Sequence, residues 1–307
     1  MPSIKEIKRR IKSVKNTSQI TKAMEVVSAT KMRKSQGFAI NSRAFAVASL
    51  EMLGNLLDHT SHLPQLLQPR DVKKSALLAV TSDKGLAGAF NANVLKIAGL
   101  WLNSKAHSGK KYSLITVGRK AKEYFERRGV EIQRSFSGFG DFFTLGETLP
   151  IAETVVDGYL LGAFDELDVV YTNFRTTLKQ ETTLKKILPV TKEGIEEAVK
   201  GILPEYGKYS LLGDSQQSTA NRYNYEYKFE PSAEEVLKTL VPQLIRMHVH
   251  HIILESNASE HSARMVAMKN ATDAARDLME ELTLTYNKNR QAGITRELTE
   301  ITAGSNL

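Results

Sequence analysis

The chain has 307 residues, no cysteine, and a formal charge of +8 from 42 basic and 34 acidic side chains. This length allows one large domain or two modest ones with a buried core, and 41% hydrophobic and 25% charged residues exclude a disordered chain. The lack of cysteine excludes a disulfide scaffold, cysteine-ligated zinc, iron–sulfur clusters and thiol catalysis, and no apolar run approaches the roughly 18 residues that span a membrane.

The excess positive charge lies in the first 43 residues. They carry eleven basic and two acidic side chains, whereas the other 264 residues carry 31 basic and 32 acidic ones. A basic start of this kind is typical of a transit peptide, a nucleic-acid-binding arm, or a rod that contacts an acidic partner.

The N-terminal segment has the pattern of one long helix. No proline occurs between Pro2 and Pro64. Apolar residues recur at helical spacing at Ile4, Ile7, Ile11 and Val14, and the stripe resumes, shifted, at Ile20, Met24 and Val27. We predict a helix over residues 4–58, about 80 Å long at 1.5 Å per residue. That length excludes a transit peptide and requires a partner helix or a partner protein.

The middle of the chain has the pattern of an α/β domain. Short apolar runs predict strands at residues 75–81, 112–117, 130–136 and 167–174. Helical patterns are present in three places: from the Gly-rich turn at 83–88 to about Lys105, from the second strand to Arg128, and over 147–162. Strands that alternate with helices predict a mostly parallel sheet covered on both faces. We expect an exposed loop at 203–221 and an edge strand at 223–229.

The C-terminal segment has a sustained heptad stripe, which predicts a coiled-coil helix. The stripe consists of Leu240, Leu244, Met247, His251, Leu254, Ala258, His261, Met265, Met268, Thr272, Ala275, Met279, Leu282 and Tyr286. Pro242 is expected to mark a bend or the start of this helix. The predicted fold class is α/β, with a long antiparallel coiled coil of N- and C-terminal helices and an inserted Rossmann-like α/β domain. The predicted boundaries are 1–60, 72–230 and 231–307, and an ordinary helical bundle is the alternative.

Two features point to ligands, and each has a structural alternative. Gly85 and Gly88 follow a strand, where backbone amides at a helix start favour phosphate. Neither the dinucleotide-binding nor the P-loop motif is present, so a tight strand-to-helix turn is favoured. Four histidines occur close together in the C-terminal segment: His248, His250, His251 and His261. The first and third are one helical turn apart, as in metal sites, but packed helix–helix histidines are favoured because two of the four lie on the stripe.

No catalytic constellation emerges from the sequence. Three classes of function remain open from the residues alone: a rod that lies inside an acidic or polar partner, a basic coiled-coil nucleic-acid-binding protein, and a nucleotide-dependent enzyme built on the α/β core. Lysine and arginine supply the phosphate attraction that the second class needs. The basic helix has no aromatic residue before Phe38, so it is not a base-stacking platform.

Several motifs lie in order along the whole chain. They are NTSQITKAME at 16–25, KMRKS at 31–35, TSDKGLAGAFN at 81–91, EHSARMVAMK at 260–269, YNKNRQ at 286–291, and ITRELTEI at 294–301 followed by Gly304. Together they resemble the gamma subunit of the F-type ATP synthase. Ala87 stands where that family often has cysteine, and residues 305–307 replace its alanine-rich end. The regulatory insertion of chloroplast members is missing, and the start at Met1 and Pro2 suggests a bacterial protein without a presequence.

The resemblance implies a function and a set of partners. The coiled coil would stand in a ring of three alpha and three beta subunits, and the α/β domain would be a foot that binds the epsilon subunit and the membrane c ring. Proton flow would turn the ring and the shaft, which pushes each beta site towards ATP formation and release. The chain would perform no chemistry, hold no cofactor or metal, bind no nucleic acid, and be peripheral to the cell membrane on its cytoplasmic side.

The resemblance also implies roles for three groups of residues. Contacts with the beta subunits near the lower collar are implied for Met24, Arg290, Gln291 and Thr295. The apolar part of the tip in its bearing is implied for Ile294, Leu298 and Ile301. A position on the foot near the c ring is implied for Tyr227 and Glu230.

Overall fold

The computed structural model of the protein describes residues 3–58, 63–191 and 232–304. The described elements are, in chain order, α1 (Ile4–Asp58), β1 (Lys74–Val80), α2 (Phe90–His107), β2 (Lys111–Val117), α3 (Arg119–Glu126), β3 (Arg134–Phe136), α4 (Leu145–Leu160), β4 (Glu166–Phe174), β5 (Gln180–Leu188) and α5 (Ala233–Gly304). The predicted N-terminal helix, strands and intervening helices are confirmed, with shifts of a few residues at most ends. The predicted loop at 203–221 and strand at 223–229 lie outside the described residues.

The chain divides into two compact units. Unit 1 consists of Met1–Thr30 and Arg264–Leu307, and unit 2 consists of Lys31–Ala263. Both long helices contribute to both units, because α1 and α5 each continue across the boundary. The α/β layers belong to unit 2 alone.

The two long helices pair antiparallel in each unit. In unit 1, Thr21 and Thr272 share a hydrogen bond of 2.7 Å between their hydroxyl oxygens, and a Cβ added at Gly293 would lie 3.8 Å from Cδ1 of Ile4. Residue numbers thus rise along one helix as they fall along the other, which confirms the predicted antiparallel coiled coil. In unit 2, the Ser35 hydroxyl donates to the Asn257 side-chain oxygen at 2.7 Å. Buried polar contacts between paired helices specify their register.

The heptad stripe of α5 is confirmed, since all fourteen predicted positions are buried or half-buried. Of the two predicted roles of Pro242, the helix start is wrong, because α5 begins at Ala233 and continues through Pro242, and the bend stays a prediction. The side chain of Ser232 accepts a hydrogen bond from the backbone N–H of Glu235 at 3.2 Å. A serine that accepts from the third residue onward is a helix N-cap, which explains the earlier start.

The apolar stripe of α1 differs from the prediction. The prediction shifted the stripe to Ile20, Met24 and Val27, but Ile20 and Val27 are exposed and only Met24 is half-buried. The face that is buried or half-buried keeps one alternation of four and three residues: Ile7, Ile11, Val14, Ser18, Thr21, Glu25, Ser28, Met32 and Ser35. Small hydroxyl side chains continue the stripe where aliphatic ones stop, and two of them, Thr21 and Ser35, satisfy their polar groups by hydrogen bonds across the pair.

The α/β layers of unit 2 contain a five-stranded sheet in the order β3-β2-β1-β4-β5. The first four strands are parallel neighbours, and β5 pairs antiparallel with β4. Parallel neighbours need crossover connections, and α2, α3 and α4 supply the helices of those crossovers. The mostly parallel sheet is therefore confirmed, whereas β5 was not predicted.

Alternate residues of β1 enter two separate hydrophobic clusters. Leu78 packs with side chains of α4 and of the first half of α5, and Leu77 packs with side chains of α2 and α3. Since successive strand residues point to opposite faces, the sheet is covered on both sides, as predicted. The first cluster also includes Leu53 near the end of α1. None of the helices described here carries a stretch long and apolar enough to cross a membrane.

Candidate functional site

The α1 segment of unit 1 presents a strongly basic surface. All seven of its lysine and arginine side chains between residues 3 and 30 are exposed: Lys5, Lys8, Arg9, Arg10, Lys12, Lys15 and Lys22. Only Glu6 and Glu25 offset them, and Glu25 pairs with Lys22 at 3.0 Å. Exposed cations of this kind act through screened, long-range attraction rather than through one fixed contact.

An aliphatic strip lies among these charges. Ile20, Ala23 and Val27 are exposed and lie on one helix face, at spacings of three and four residues, and Val26 is exposed beside them. Sequence reasoning missed this strip because it assigned Ile20 and Val27 to the helix–helix contact. Phosphate recognition has no use for aliphatic side chains, whereas protein interfaces combine apolar patches with arginine and lysine at their rims.

The last turns of α5 form a second apolar surface. Ile294, Leu298 and Ile301 are 50%, 57% and 67% exposed, and their spacing of four and three residues places them on one face. Gly293 lies opposite Ile4, which is the first residue of α1, so these three side chains lie beyond the paired region. A single helix end with exposed aliphatic residues is marginally stable by itself, and it is typical of a surface that an apolar partner covers.

The four predicted collar residues do not form a single cluster. Arg290, Gln291 and Thr295 are exposed and adjacent on α5, where the Thr295 hydroxyl donates to the Gln291 carbonyl at 3.0 Å. Met24 is half-buried and lies three residues from Thr21, which contacts Thr272. Arg290 is 18 residues further along α5 than Thr272, which is about 27 Å at 1.5 Å per residue. The residues therefore belong to two levels of unit 1. Tyr227 and Glu230 lie outside the described residues.

The Gly-rich turn of unit 2 is organised around the carboxylate of Asp83. One oxygen accepts from the backbone N–H of Arg119, the first residue of α3, at 2.7 Å, and the other accepts from the N–H groups of Gly138 and Phe139 at 2.8 and 2.9 Å. The carboxylate thus ties the turn to the start of α3 and to the loop that follows β3. These contacts give the turn a structural role.

Gly118 meets this turn at very close range. Its φ is +91°, and a Cβ added there would lie 2.2 Å from the carbonyl oxygen of Thr81. The Thr81 hydroxyl accepts from the N–H of Ala121 at 2.9 Å and donates to the Val117 carbonyl at 3.1 Å. Only glycine fits this position, because any side chain would overlap the backbone of the neighbouring strand end.

Three histidines of α5 have protein partners. His251 Nε2 and the Glu255 carboxylate are 3.1 Å apart, and His261 Nε2 lies 3.0 Å from the backbone carbonyl of Asp141. His250 Nδ1 lies 2.8 Å from the Thr148 hydroxyl, and desolvation with the nearby His251 lowers the pKa of His250. These histidines are therefore packed against protein groups, but the predicted helix–helix packing differs: His251 pairs with a residue of α5 itself and His261 lies against a loop. Across residues 3–58, 63–191 and 232–304, no cluster of side chains is suited to hold a metal ion.

A charge cluster fastens α2 to the sheet edge. The Glu166 carboxylate, at the start of β4, is bound by Lys105 of α2, by Lys186 of β5 at 2.8 Å, and by the Ser75 hydroxyl at 2.7 Å. Burial opposes ionisation of Glu166, but these hydrogen bonds outweigh it and lower its pKa to about 2. Two residues along, burial raises the pKa of Asp168, which accepts from the Trp101 indole N–H at 2.7 Å. The cluster has the geometry of a structural network.

Sequence comparisons give one consistent result. A family model described as ATP synthase matches residues 3–306. The protein described as ATP synthase gamma chain in Roseiflexus castenholzii is 39% identical over 308 residues, covering 99% of this chain and 98% of that protein. The protein of the same description in Chloroflexus aurantiacus is 40% identical over 309 residues, with the same coverage. These relatives give no support to a nucleic-acid-binding function.

Solved structures have the same fold. A chain of the Euglena gracilis mitochondrial ATP synthase, in a structure of the OSCP, F1 and c-ring parts, has a TM-score of 0.64 at 18% identity. It covers 99% of this chain, and 93% of its own length is matched. A chain from the central stalk and c-ring structure of the Tetrahymena thermophila mitochondrial ATP synthase has a TM-score of 0.58 at 24% identity, covering 82% of this chain and 99% of that one.

Proposed function

The chain belongs to the ATP synthase gamma-chain family, and from this premise we propose that it is the central rotor shaft of an F1Fo ATP synthase. Unit 1 would stand inside a ring of three alpha and three beta subunits. The α/β domain, residues 72–230 in our assignment, would be the foot that binds the epsilon subunit and the c ring, and 1–60 and 231–307 would be the coiled-coil segments. The observation that carries the proposal is the paired-helix unit with outward charges and aliphatic strips.

Rotation requires a shaft that binds the beta conformers unequally. A ligand shifts a conformational equilibrium only by its difference in affinity for the two states. The strip of Ile20, Ala23 and Val27 lies on α1 alone, so the surface of unit 1 is not equivalent in all directions. Turning such a surface would present a different contact to each beta subunit in succession, and each catalytic site would pass through states that favour ATP formation and then release.

The chemistry of the shaft surface suits contacts that break quickly. Exposed ion pairs contribute roughly 0–1 kcal/mol each and are weakened by salt. The seven exposed cations of α1 would therefore attract acidic loops of the ring without holding the shaft at one angle. A tight contact at one angle would be a barrier to the next step.

The site residues are proposed at two levels of the shaft. Met24 would contact the beta subunits beside the aliphatic strip, and Arg290, Gln291 and Thr295 would contact them about 27 Å further along. Ile294, Leu298 and Ile301 would be the apolar tip in its bearing. Tyr227 and Glu230 are proposed to face the c ring.

The chain would perform no chemistry of its own and need no cofactor, since ATP would form on the beta subunits. It would take part in hydrogen ion transport only by coupling to the turning c ring. Through that ring it would be peripheral to the cell membrane, on the cytoplasmic side.

Reconstitution with partner subunits tests the proposal. The purified chain, mixed with alpha and beta subunits, is expected to give a stable complex that hydrolyses ATP and turns the shaft in one direction when the ring is immobilised. Failure to form that complex would overturn the proposal. Duplex DNA bound more tightly than the ring, with steep salt dependence, would instead support the nucleic-acid alternative.

A further inference from the structure

One loop of unit 2 touches the sheet layers and both long helices. This bridging loop, residues 137–144, connects β3 to α4. On the sheet side, the Asp83 carboxylate accepts hydrogen bonds from the N–H groups of Gly138 and Phe139. The rings of Phe139 and Phe143 lie 4.7 Å apart and pack against the hydrophobic cluster beneath the sheet. One side of the loop is therefore fixed to the α/β layers.

The other side of the loop holds α1. The two oxygens of the Asp141 carboxylate bind different lysines: Lys31 of α1 at 2.7 Å, and Lys84 of the Gly-rich turn at 2.9 Å. The ring of Phe142 lies edge-on to Phe38 of α1, with centroids 6.2 Å apart, and the Lys34 ammonium sits 4.3 Å from its centroid. A single carboxylate thus links helix, turn and loop.

The same two residues reach α5. His261 Nε2 lies 3.0 Å from the backbone carbonyl of Asp141, and the His261 ring is 6.4 Å from that of Phe142. Hydrogen bonds from Lys31 and then Lys84 lower the pKa of Asp141 to about 2, so the carboxylate stays ionised near neutral pH. Both lysines therefore face an ionised carboxylate near neutral pH.

We propose that the bridging loop is the torsional joint of the rotor, in which Asp141 and Phe142 are positioning residues that pass torque between the α/β layers and both long helices. This inference rests on the proposed rotor function. Each long helix continues into unit 1, so a rotation of the layers that reaches the helices at this loop also reaches the shaft.

The joint acts through stiffness rather than through folding stability. The side chains of Lys31 and Asp141 are 27% and 34% exposed, and ion pairs with that much solvent contact contribute little to stability. The apolar clusters on both sheet faces hold the fold without them. Loosening the loop therefore leaves a folded rotor in which α1 near Lys31 and α5 near His261 twist more easily against the layers, while the first half of α5 stays packed in the cluster beneath the sheet.

The test uses the assembled complex and a probe on the α/β layers. Because the chain has no cysteine, Leu161→Cys provides one attachment point for a bead on a side chain that is 85% exposed. With an immobilised ring of cysteine-free alpha and beta subunits, the angular variance of the bead at a stalled position measures torsional stiffness. We expect Asp141→Asn combined with Phe142→Ala to raise this variance at least twofold, while ATP hydrolysis and the urea midpoint change little.

Matched variants separate the outcomes. Asp157→Asn, an exposed carboxylate on α4, is expected to leave the variance unchanged, and Asp141→Glu is expected to restore most of the stiffness. If the complex with the double variant does not assemble, the single variant Asp141→Asn is measured instead. Its angular variance is expected to increase by about half as much as that of the double variant. If the parent complex rotates and the variants have the same angular variance as the parent, the proposal of a torsional joint is refuted, whereas the proposed rotor function is not. Failure of the parent chain to assemble or rotate overturns the proposed function itself.

Discussion

Replacing Gly118 by alanine should destabilise unit 2 by about 4 kcal/mol. The added Cβ would lie 2.2 Å from the Thr81 carbonyl oxygen and 2.6 Å from its carbonyl carbon, both of them backbone atoms that cannot move aside alone. A backbone with φ of +91° contributes about 1–3 kcal/mol of strain for a residue with a side chain, and overpacking adds about 1–3 kcal/mol. Such a loss is a large fraction of the roughly 5–15 kcal/mol that stabilises a typical domain.

Two other glycines separate the causes of this loss. Gly129 has φ of +67°, but a Cβ there would meet nothing within 4 Å, so Gly129→Ala should cost about 1–2 kcal/mol from backbone conformation alone. Gly99, inside α2, has neither a positive φ nor a neighbour within 4 Å of an added Cβ. Gly99→Ala should therefore stabilise the protein by about 0.5–1 kcal/mol.

The single tryptophan provides the measurement. Trp101 is buried in the cluster between the sheet and α2, so its fluorescence in urea reports the unfolding of the layers that contain Gly118. At a slope of about 2 kcal/mol per molar urea, Gly118→Ala should lower the midpoint by about 2 M. If Gly118→Ala unfolds at the same urea concentration as Gly129→Ala, the close approach to Thr81 is not what requires glycine.

Three further predictions concern charge, register and the tip. At pH values above the ordinary pKa of 4.5, ionised Glu166 stabilises the fold by about 3 kcal/mol, and this contribution should fade as the pH falls towards 2. Acid unfolding curves of Glu166→Gln should lack that pH dependence, whereas those of the exposed control Glu131→Gln should keep it. Thr21→Val and Thr272→Val should show a coupling of about 0.5–1 kcal/mol in a double-mutant cycle, and strict additivity would contradict the shared hydrogen bond. Leu298→Asp should leave the urea midpoint of the isolated chain unchanged, yet lower the melting temperature of its complex with alpha and beta subunits; an unaffected complex would argue against an apolar bearing.

The long helices were predictable because their signals are local and repeated. Fourteen stripe positions on α5 outweigh any single exception such as Pro242, which a capped start at Ser232 accommodates. The register on α1 was not predictable by the same rule. Hydrophobic periodicity counts aliphatic residues, and here Ser28 and Ser35 continue the buried face while Ile20 points outward. Which face of α1 is buried depends on the residues of α5 that it contacts, and the pattern along α1 alone does not contain those residues.

In the α/β layers, too, some elements could be predicted from the sequence and others could not. Strand β1 was found because an unbroken apolar run needs burial on both faces. Strand β5 was missed because it carries Lys185, Lys186 and Glu181, and only its last two residues are buried. Its pairing with β4, and the ion pair from Lys186 to Glu166, are tertiary facts. The bridging loop was likewise not predictable, since its contacts with the two long helices join residues more than a hundred positions apart.

The antiparallel pairing in unit 1 has a consequence for how the protein folds during synthesis. Thr21 and Thr272 are 251 residues apart in sequence, so the first thirty residues leave the ribosome long before their partners exist. Contacts of such sequence separation form late, and domains tend to fold as units while the chain emerges. Unit 2 can therefore fold before unit 1 is complete. A chain that ends before α5 crosses into unit 1 leaves the first thirty residues of α1 without their partner helix, so Ile7, Ile11 and Val14 would be exposed, and exposed apolar surface of this kind is what chaperones and proteases act on.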